Sequence, residues 1–140
     1  MSGKNLTVVE RWVADVNSGD IDAALERNVA DDFVGHYSAM PAPVQGKEGW
    51  KGMYMGFIKP AFPDQKITIE MHVDSGDRIA VQTSWTATHK GDFVGIPATG
   101  RTVHVPGTGI MRIVGDKIAE AWIQEDFLGI YQQLTAPEGQ

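Results

Sequence analysis

Residues 67–89, ITIEMHVDSGDRIAVQTSWTATH, decide the fold of this 140-residue chain. Two runs rich in β-branched and aromatic residues flank the polar turn 74–77, and this pattern predicts a hairpin of antiparallel strands over 67–73 and 79–89. Side chains alternate along a strand, so one face of the second strand should point to the interior: Ile79, Val81, Thr83, Trp85 and Ala87. The opposite face is polar and rich in threonine, and either water or another subunit could cover it.

A second hairpin is predicted further along the chain. Its strands cover 101–114 and 117–126, with Gly115-Asp116 at the turn. The segment 91–100 between the two hairpins is rich in glycine and proline, which predicts a loop. A short closing helix is predicted over 128–134.

The N-terminal third has helical periodicity. Apolar residues recur at i, i+3, i+4 and i+7 from Val9 to Val16, which predicts an amphipathic helix that ends at residues 17–20. Asp20 is placed to cap a second helix, and a third helix is predicted over 47–58. Helices followed by long strands indicate an α+β fold, in which the helices pack on one face of a curved antiparallel or mixed sheet and leave a central pocket.

Composition narrows the possible functions. The length fits a single domain over residues 1–140, with a polar tail from about residue 135. The absence of cysteine excludes disulfides, thiolate nucleophiles and cysteine metal ligands, and it fits a reducing, cytoplasmic location. A net charge of -6 argues against nucleic acid as a partner. Neither a membrane-spanning segment nor a signal peptide is expected.

The last predicted strand holds the most informative acidic residue. Unbroken alternation from Ile118 puts Trp122, Gln124 and Asp126 on one face and Glu125 on the other. Trp122 is the largest apolar group of the strand and should face the helices, so Asp126 is expected to enter the apolar interior while Glu125 points away. Burying a carboxylate is costly and usually has a functional reason. A catalytic or ligand-binding role and capping of the following helix are both open for Asp126, and the two are compatible.

The four histidines do not have the spacing of a metal site, and no metal is expected. His36 follows residues 32–35, where a helix is expected to give way to a loop. Its imidazole could reach the mouth of a pocket as a donor or proton carrier, or it could be a partly solvated structural residue. His72 and His89 are predicted to lie on the outer face or rim of the sheet.

Several short segments occur in a characteristic order along nearly the whole chain. They are Asp32-Phe33-Val34-x-His36, Phe62-Pro63-Asp64, Gly95-Ile96-Pro97-Ala98-Thr99-Gly100-Arg101, Arg112, Gly115-Asp116-Lys117-Ile118-Ala119-Glu120, Trp122, Asp126 and Gln132-Gln133-Leu134. In this order they resemble the SnoaL-like polyketide cyclases, the ester cyclases of aromatic polyketide pathways.

The resemblance implies a cone-shaped α+β barrel of the nuclear transport factor 2-like type, a site without a cofactor, and a homodimer or homotetramer. It places the family's catalytic aspartate on Asp126. In the family reaction, an aspartate removes an α-proton from a polyketide ester, the enolate attacks a ketone of the same molecule, and a proton returns to the new alkoxide. His36 is the second predicted catalytic residue, and Thr108 and Gln124 are further candidate donors to the enolate oxygen.

Large side chains on the inward positions are predicted to line the core or a pocket for a small apolar or aromatic substrate. Together with the two donors, the predicted substrate-binding residues are Trp12, Phe33, Trp50, Tyr54, Phe57, Trp85, Thr108, Met111, Trp122 and Gln124. Two alternatives to an enzyme stay open: a module that binds a small apolar ligand without turnover, and a dimeric scaffold with a filled pocket. Epoxide hydrolysis would need Glu120 and Arg112, which fit a structural ion pair more simply.

Overall fold

The computed structural model describes residues 2–137, so residues 138–140 of the predicted polar tail lie outside the described residues. The helices are α1 (Ser2–Ser18), α2 (Ile21–Asn28), α3 (Gly46–Met53), which continues as a π-helical turn over Tyr54–Ile58, and α4 (Phe127–Thr135). The strands are β1 (Val29–Tyr37), β2 (Val44–Gln45), β3 (Lys66–Ser75), β4 (Arg78–Thr88), β5 (Thr102–Val114) and β6 (Lys117–Glu125).

The first two helices form as their sequence pattern predicts. The apolar stripe of α1 is buried, with Val9 at 0%, Val16 at 5% and Trp12 at 9% exposure. The chain turns at Gly19, and the Asp20 carboxylate accepts a hydrogen bond of 3.1 Å from the Ala23 backbone N–H. This side-chain cap satisfies one of the free N–H groups at the start of α2.

The six strands form one curved mixed sheet in the order β2-β1-β6-β5-β4-β3. All neighbouring pairs are antiparallel except β1 and β6, which are parallel. The β4–β5 register runs without interruption along the whole of β4. Alternation is therefore preserved, and the predicted inner face of β4 is confirmed for its apolar residues, which are all buried: Ile79, Val81, Trp85 and Ala87.

The strand β1 was not expected. Residues 32–35 were predicted to be the place where a helix gives way to a loop, whereas the structure has a strand from Val29 to Tyr37. Acidic residues and glycine are depleted in strands, so local sequence is a weak indicator here. The strand forms because β6, far away in sequence, offers a parallel partner, with His36 beside Trp122 in the register.

The helices cover the inner face of the sheet. Side chains of α1, α2 and α3 pack there in a main core, and a second apolar cluster lies around Phe62, Trp85 and Phe93. Ile130 and Leu134 of α4 belong to that second cluster. Within residues 2–137, no helix is long and apolar enough to cross a membrane. The two clusters leave a cavity between the helices and the sheet.

Candidate active site

The cavity lies between α1, α3 and the inner face of the sheet and has a volume of about 140 Å³. Most of the predicted substrate-binding residues border it: Trp12, Phe33, Trp50, Tyr54, Phe57, Trp85, Thr108 and Met111. Its wall is largely apolar and aromatic, which suits a flat apolar molecule. Thr108 itself is exposed and lies at the edge, because the inward positions beside it on β5 are Gly107 and Gly109.

Three aromatic rings form a rigid side of this cavity. The rings of Trp12 and Trp50 meet edge to face with centroids 5.0 Å apart, and Trp50 stacks on Tyr54 at 4.9 Å. Edge-to-face and offset stacking are the preferred arrangements of aromatic rings. All three residues are buried, so the side chains are held in place by packing.

Glu125, the last residue of β6, brings a carboxyl group to the cavity. The Trp85 indole N–H donates a hydrogen bond of 2.6 Å to Glu125 Oε2. Burial raises the pKa of Glu125 above its ordinary value, and the hydrogen bond from Trp85 opposes this in part. Among residues 2–137, Glu125 is the one carboxylic acid side chain that lines the cavity. A carboxyl with a raised pKa in an apolar site suits proton transfer near neutral pH.

The expected orientation of Asp126 is wrong. Its side chain is exposed, does not line the cavity, and caps α4 by accepting a hydrogen bond of 2.8 Å from the Gly129 backbone N–H. The predicted capping role is thus confirmed. The catalytic role predicted for Asp126 stays a prediction.

A β-bulge in β6 explains why Glu125, and not Asp126, points into the cavity. In the register of β5 and β6, Arg112 pairs with Glu120 and the next residue, Ile113, pairs with Ile118, so Ala119 is an extra residue. An extra residue shifts the alternation of the strand by one. Ile118 faces inward as predicted, but beyond the bulge the cavity is lined by Ala121, Ile123 and Glu125.

Trp122 and Gln124 consequently lie on the outer face of the sheet, which corrects their predicted position in the pocket. They border a shallow groove there together with His36. The rings of Trp122 and His36 stack with centroids 5.4 Å apart, and the Arg78 guanidinium lies 5.0 Å from the Trp122 ring centroid on this face. His36 is on the outer face because Phe33, Gly35 and Tyr37 take the inward positions of β1.

The outer face of the sheet carries a cluster of three polar and charged side chains, His36, Glu120 and Arg112. His36 Nε2 lies 2.8 Å from Glu120 Oε2, and the Arg112 guanidinium lies 3.3 Å from Glu120 Oε1. The hydrogen bond with His36, followed by that with Arg112, holds the pKa of Glu120 below its ordinary value. The predicted Arg112–Glu120 ion pair is therefore confirmed, and His36 contacts this pair instead of the cavity.

Tyr37 is a cavity residue that the sequence interpretation missed. It lies at the end of β1 and borders the cavity. Burial raises the pKa of the Tyr37 hydroxyl, the nearby Glu125 carboxyl raises it further, and a hydrogen bond from Trp50 acts in the opposite direction. Burial also raises the pKa of Tyr54. Alternation from Phe33 would have identified Tyr37 if β1 had been recognised as a strand.

The other histidines do not approach the cavity. His89 was expected at the outer face or rim, but it is fully buried and packs 5.6 Å from the Phe62 ring. It follows the end of β4, and its Nδ1 accepts a hydrogen bond of 3.1 Å from the Thr99 backbone N–H, which ties the 91–100 loop to the second cluster. His72 and His104 are exposed. In the described part of the chain, no three potential ligand side chains come together as a metal site.

A small α+β domain with an aromatic cavity and a buried carboxyl group defines a class of proteins that bind or transform apolar molecules. A model of the family described as SnoaL-like polyketide cyclase matches residues 7–134. This chain belongs to that family.

Similar proteins agree with this assignment. Aklanonic acid methyl ester cyclase DauD from Streptomyces sp. (strain C5) is 27% identical over 138 residues, which cover 94% of this chain and 82% of DauD. IdmH, a candidate polyketide cyclase from Streptomyces antibioticus, superposes with a TM-score of 0.83 at 28% identity, covering 93% of this chain and 97% of IdmH. A candidate SnoaL-like polyketide cyclase from Jannaschia sp. CCS1 has a TM-score of 0.84 at 22% identity, over 97% of this chain and 94% of that protein, and shows the shared fold alone.

Proposed function

We propose that this chain is a polyketide cyclase that closes a ring by intramolecular aldol condensation without loss of water, with Glu125 as the general base. The observation that carries the proposal is the Glu125 carboxyl in an aromatic cavity, hydrogen-bonded by Trp85 and with a pKa raised by burial. Membership of the SnoaL-like family supports a cyclase, and the DauD relative supports a polyketide methyl ester as the substrate class.

In the proposed reaction, the Glu125 carboxylate takes an acidic α-proton from the carbon next to the ester carbonyl. The resulting enolate carbon attacks a ketone carbon within the same molecule, one C–C bond forms, and the ketone oxygen becomes an alkoxide. Protonated Glu125 then returns its proton to this alkoxide, so that the product is an isomer of the substrate. Folding the substrate in the cavity supplies the proximity that the ring closure needs.

Tyr37 is suited to stabilise the charge that develops on the enolate oxygen. A tyrosine hydroxyl is protonated at neutral pH, and burial raises the pKa of Tyr37 further, so the hydroxyl is available as a hydrogen-bond donor. Glu125 and Tyr37 border the same cavity and influence each other electrostatically. The aromatic wall of Trp12, Trp50 and Tyr54 would hold a flat substrate and exclude water, which strengthens both interactions.

The test compares two neighbouring carboxylates that point in different directions. The probe is aklanonic acid methyl ester, with turnover followed by chromatography of substrate and cyclised product. We expect Glu125→Gln to lower turnover by roughly 10²- to 10⁴-fold, the range typical of a general base. Asp126→Asn is the matched control: asparagine is also a good helix cap, so α4 should stay intact and turnover should be retained.

The two variants also decide between Glu125 and the Asp126 prediction. Loss of turnover in Asp126→Asn with retention in Glu125→Gln would overturn the proposal and support Asp126 as the base. Binding of the ester by the wild type, measured by calorimetry, without any product would instead favour a non-catalytic ligand-binding module.

We further propose that the enzyme needs no cofactor and acts as a homodimer or homotetramer in the cytoplasm, with a small apolar molecule as its partner and neither nucleic acid nor membrane involved. Unchanged turnover after dialysis against a chelator is expected. Light scattering should give a mass of two or four chains, and a monomer would contradict that expectation.

A further inference from the structure

Glu125 and Trp85 form a hydrogen bond although their strands are not neighbours. Glu125 is on β6 and Trp85 is on β4, with β5 between them. Adjacent strands lie about 4.8 Å apart, so the two backbones are separated by about 10 Å. The distance from Trp85 Nε1 to Glu125 Oε2 is nevertheless 2.6 Å. The two side chains must therefore meet over the inner face of β5.

Gly107 is the residue of β5 beneath this contact. In the sheet register, Gly107 pairs with Glu125 on one side and with Thr83 on the other. A Cβ atom at position 107 would lie 3.0 Å from Glu125 Cγ, 3.1 Å from the Gln124 backbone oxygen and 3.5 Å from Thr83 Oγ1. Other inward positions of β5 carry large buried side chains: Val103, Val105, Met111 and Ile113. A side chain of that kind at position 107 would occupy the space that Glu125 takes.

We propose that Gly107 and Trp85 are positioning residues for Glu125. Gly107 leaves room for the Glu125 side chain to extend across β5, and the Trp85 indole binds Oε2 so that Oε1 stays available to accept the substrate proton. The inference rests on the proposed function, in which Glu125 is the base. It assigns the orientation of the base to two residues on strands other than its own.

The donor is itself held firmly. Trp85 is 2% exposed, and its ring packs edge to face against Phe62 with centroids 5.3 Å apart. A donor fixed by packing gives the carboxylate a defined rotamer instead of several. Trp85→Phe removes the N–H group together with the five-membered ring and keeps an aromatic side chain in the core, so it removes the hydrogen bond with a smaller loss of packing than alanine would cause.

The first measurement uses the indole N–H resonances of the uniformly ¹⁵N-labelled protein. The Trp85 signal is assigned by its disappearance in Trp85→Phe. We expect it to move upfield in Glu125→Gln and in Gly107→Ala, because the hydrogen bond to a carboxylate is lost or lengthened. Gly109→Ala is the matched control on the same strand and face, since a Cβ there would meet Ile123 Cδ1 at 2.6 Å and not Glu125. It should leave the Trp85 signal in place.

The second measurement is the kinetics with aklanonic acid methyl ester. Trp85→Phe and Gly107→Ala should lower kcat by about 10- to 100-fold with little change in KM, because a displaced base loses rate more than binding. The Trp85 hydrogen bond lowers the pKa of Glu125, so Trp85→Phe should also shift the acid limb of the pH profile to higher pH. Gly109→Ala changes the cavity wall through Ile123 and can alter KM, but it should leave the acid limb in place because it does not touch Glu125.

These results separate the inference from the proposed function. A Trp85 signal unchanged in both Glu125→Gln and Gly107→Ala, or an unchanged acid limb in Trp85→Phe, would overturn the positioning role even if Glu125→Gln abolished turnover. An equal shift of the Trp85 signal in Gly107→Ala and Gly109→Ala would overturn it for Gly107. Full turnover in Glu125→Gln would overturn the proposed function itself, whatever the indole signal shows.

Discussion

The strand β6 carries two glutamates that lie in opposite electrostatic surroundings. Glu125 faces the inner cavity, where burial raises its pKa and a neutral indole is its hydrogen-bond donor. Glu120 lies on the outer face, where His36 and Arg112 lower its pKa. The same type of side chain is thus suited to proton transfer at Glu125 on the inner face and to ion pairing at Glu120 on the outer face. Because both residues are glutamates, the difference arises from the neighbours that the sheet brings to each face.

Turnover should distinguish the two faces most strongly. Glu120→Gln removes the outer carboxylate and keeps its shape, and we expect turnover of aklanonic acid methyl ester to stay within about twofold of wild type. Glu125→Gln should lose roughly 10²- to 10⁴-fold in the same assay. Parallel losses in both variants would mean that the outer group contributes to the reaction, and the comparison between the faces would fail.

Stability should distinguish the tryptophans of the two faces. Trp50→Ala removes a buried ring that contacts Trp12 and Tyr54, and the free energy of unfolding should fall by about 3–5 kcal/mol. Trp122→Ala removes a partly exposed ring that stacks on His36, and a loss of about 1 kcal/mol is expected. Urea denaturation of both variants measures this. A larger loss in Trp122→Ala than in Trp50→Ala would show that the outer face is the better packed.

The pH dependence of stability should have opposite signs for the two glutamates. The folded pKa of Glu120 is below its ordinary value of 4.5, so its stabilisation is present above pH 4.5 and is lost as the pH falls through the folded pKa. The folded pKa of Glu125 is above 4.5, so its stabilisation is present below pH 4.5 and is lost as the pH rises through the folded pKa.

Urea denaturation from acidic to neutral pH measures this smaller effect. Relative to wild type, the free energy of unfolding of Glu120→Gln should fall as the pH rises towards 4.5 from below. That of Glu125→Gln should increase relative to wild type as the pH rises above 4.5. The partly exposed Arg112–Glu120 ion pair on the outer face should respond to salt, which screens charges near the surface. Curves with the same sign for both variants would show that the two carboxyl groups have similar surroundings.

The sequence interpretation succeeded where the pairing of strands is regular. Alternation along β4 identified Trp85 as an inward residue because the β4–β5 register has no interruption. It failed along β6 because the extra residue at Ala119 exchanges the faces of the residues that follow. No local sequence pattern around Ala119 predicts this bulge, because the bulge depends on how β5 and β6 pair. Unbroken alternation from Ile118 therefore predicts Asp126 in the cavity, whereas the structure places Glu125 there.

A similar limit applies to β1. Tyr37 was missed and His36 was placed near a pocket because residues 32–35 do not have the composition of a strand. Their conformation depends on pairing with β6, which is parallel to β1 and is the last strand in the sequence. The segment order that resembles the SnoaL-like family nevertheless identified the family, since that order does not require the orientation of any single residue.

The sequence by itself determined the succession of helices and hairpins, the aromatic character of the interior and the family. These properties follow from periodicity, turn residues and the order of short segments along the chain, none of which requires knowledge of how the strands pair. Only the tertiary structure decided which carboxylate is buried, that His36 pairs with Glu120 and not with a cavity group, and that Glu125 meets Trp85 above Gly107. These relations depend on strand register and on contacts across three strands, where one extra residue turns an inward side chain outward.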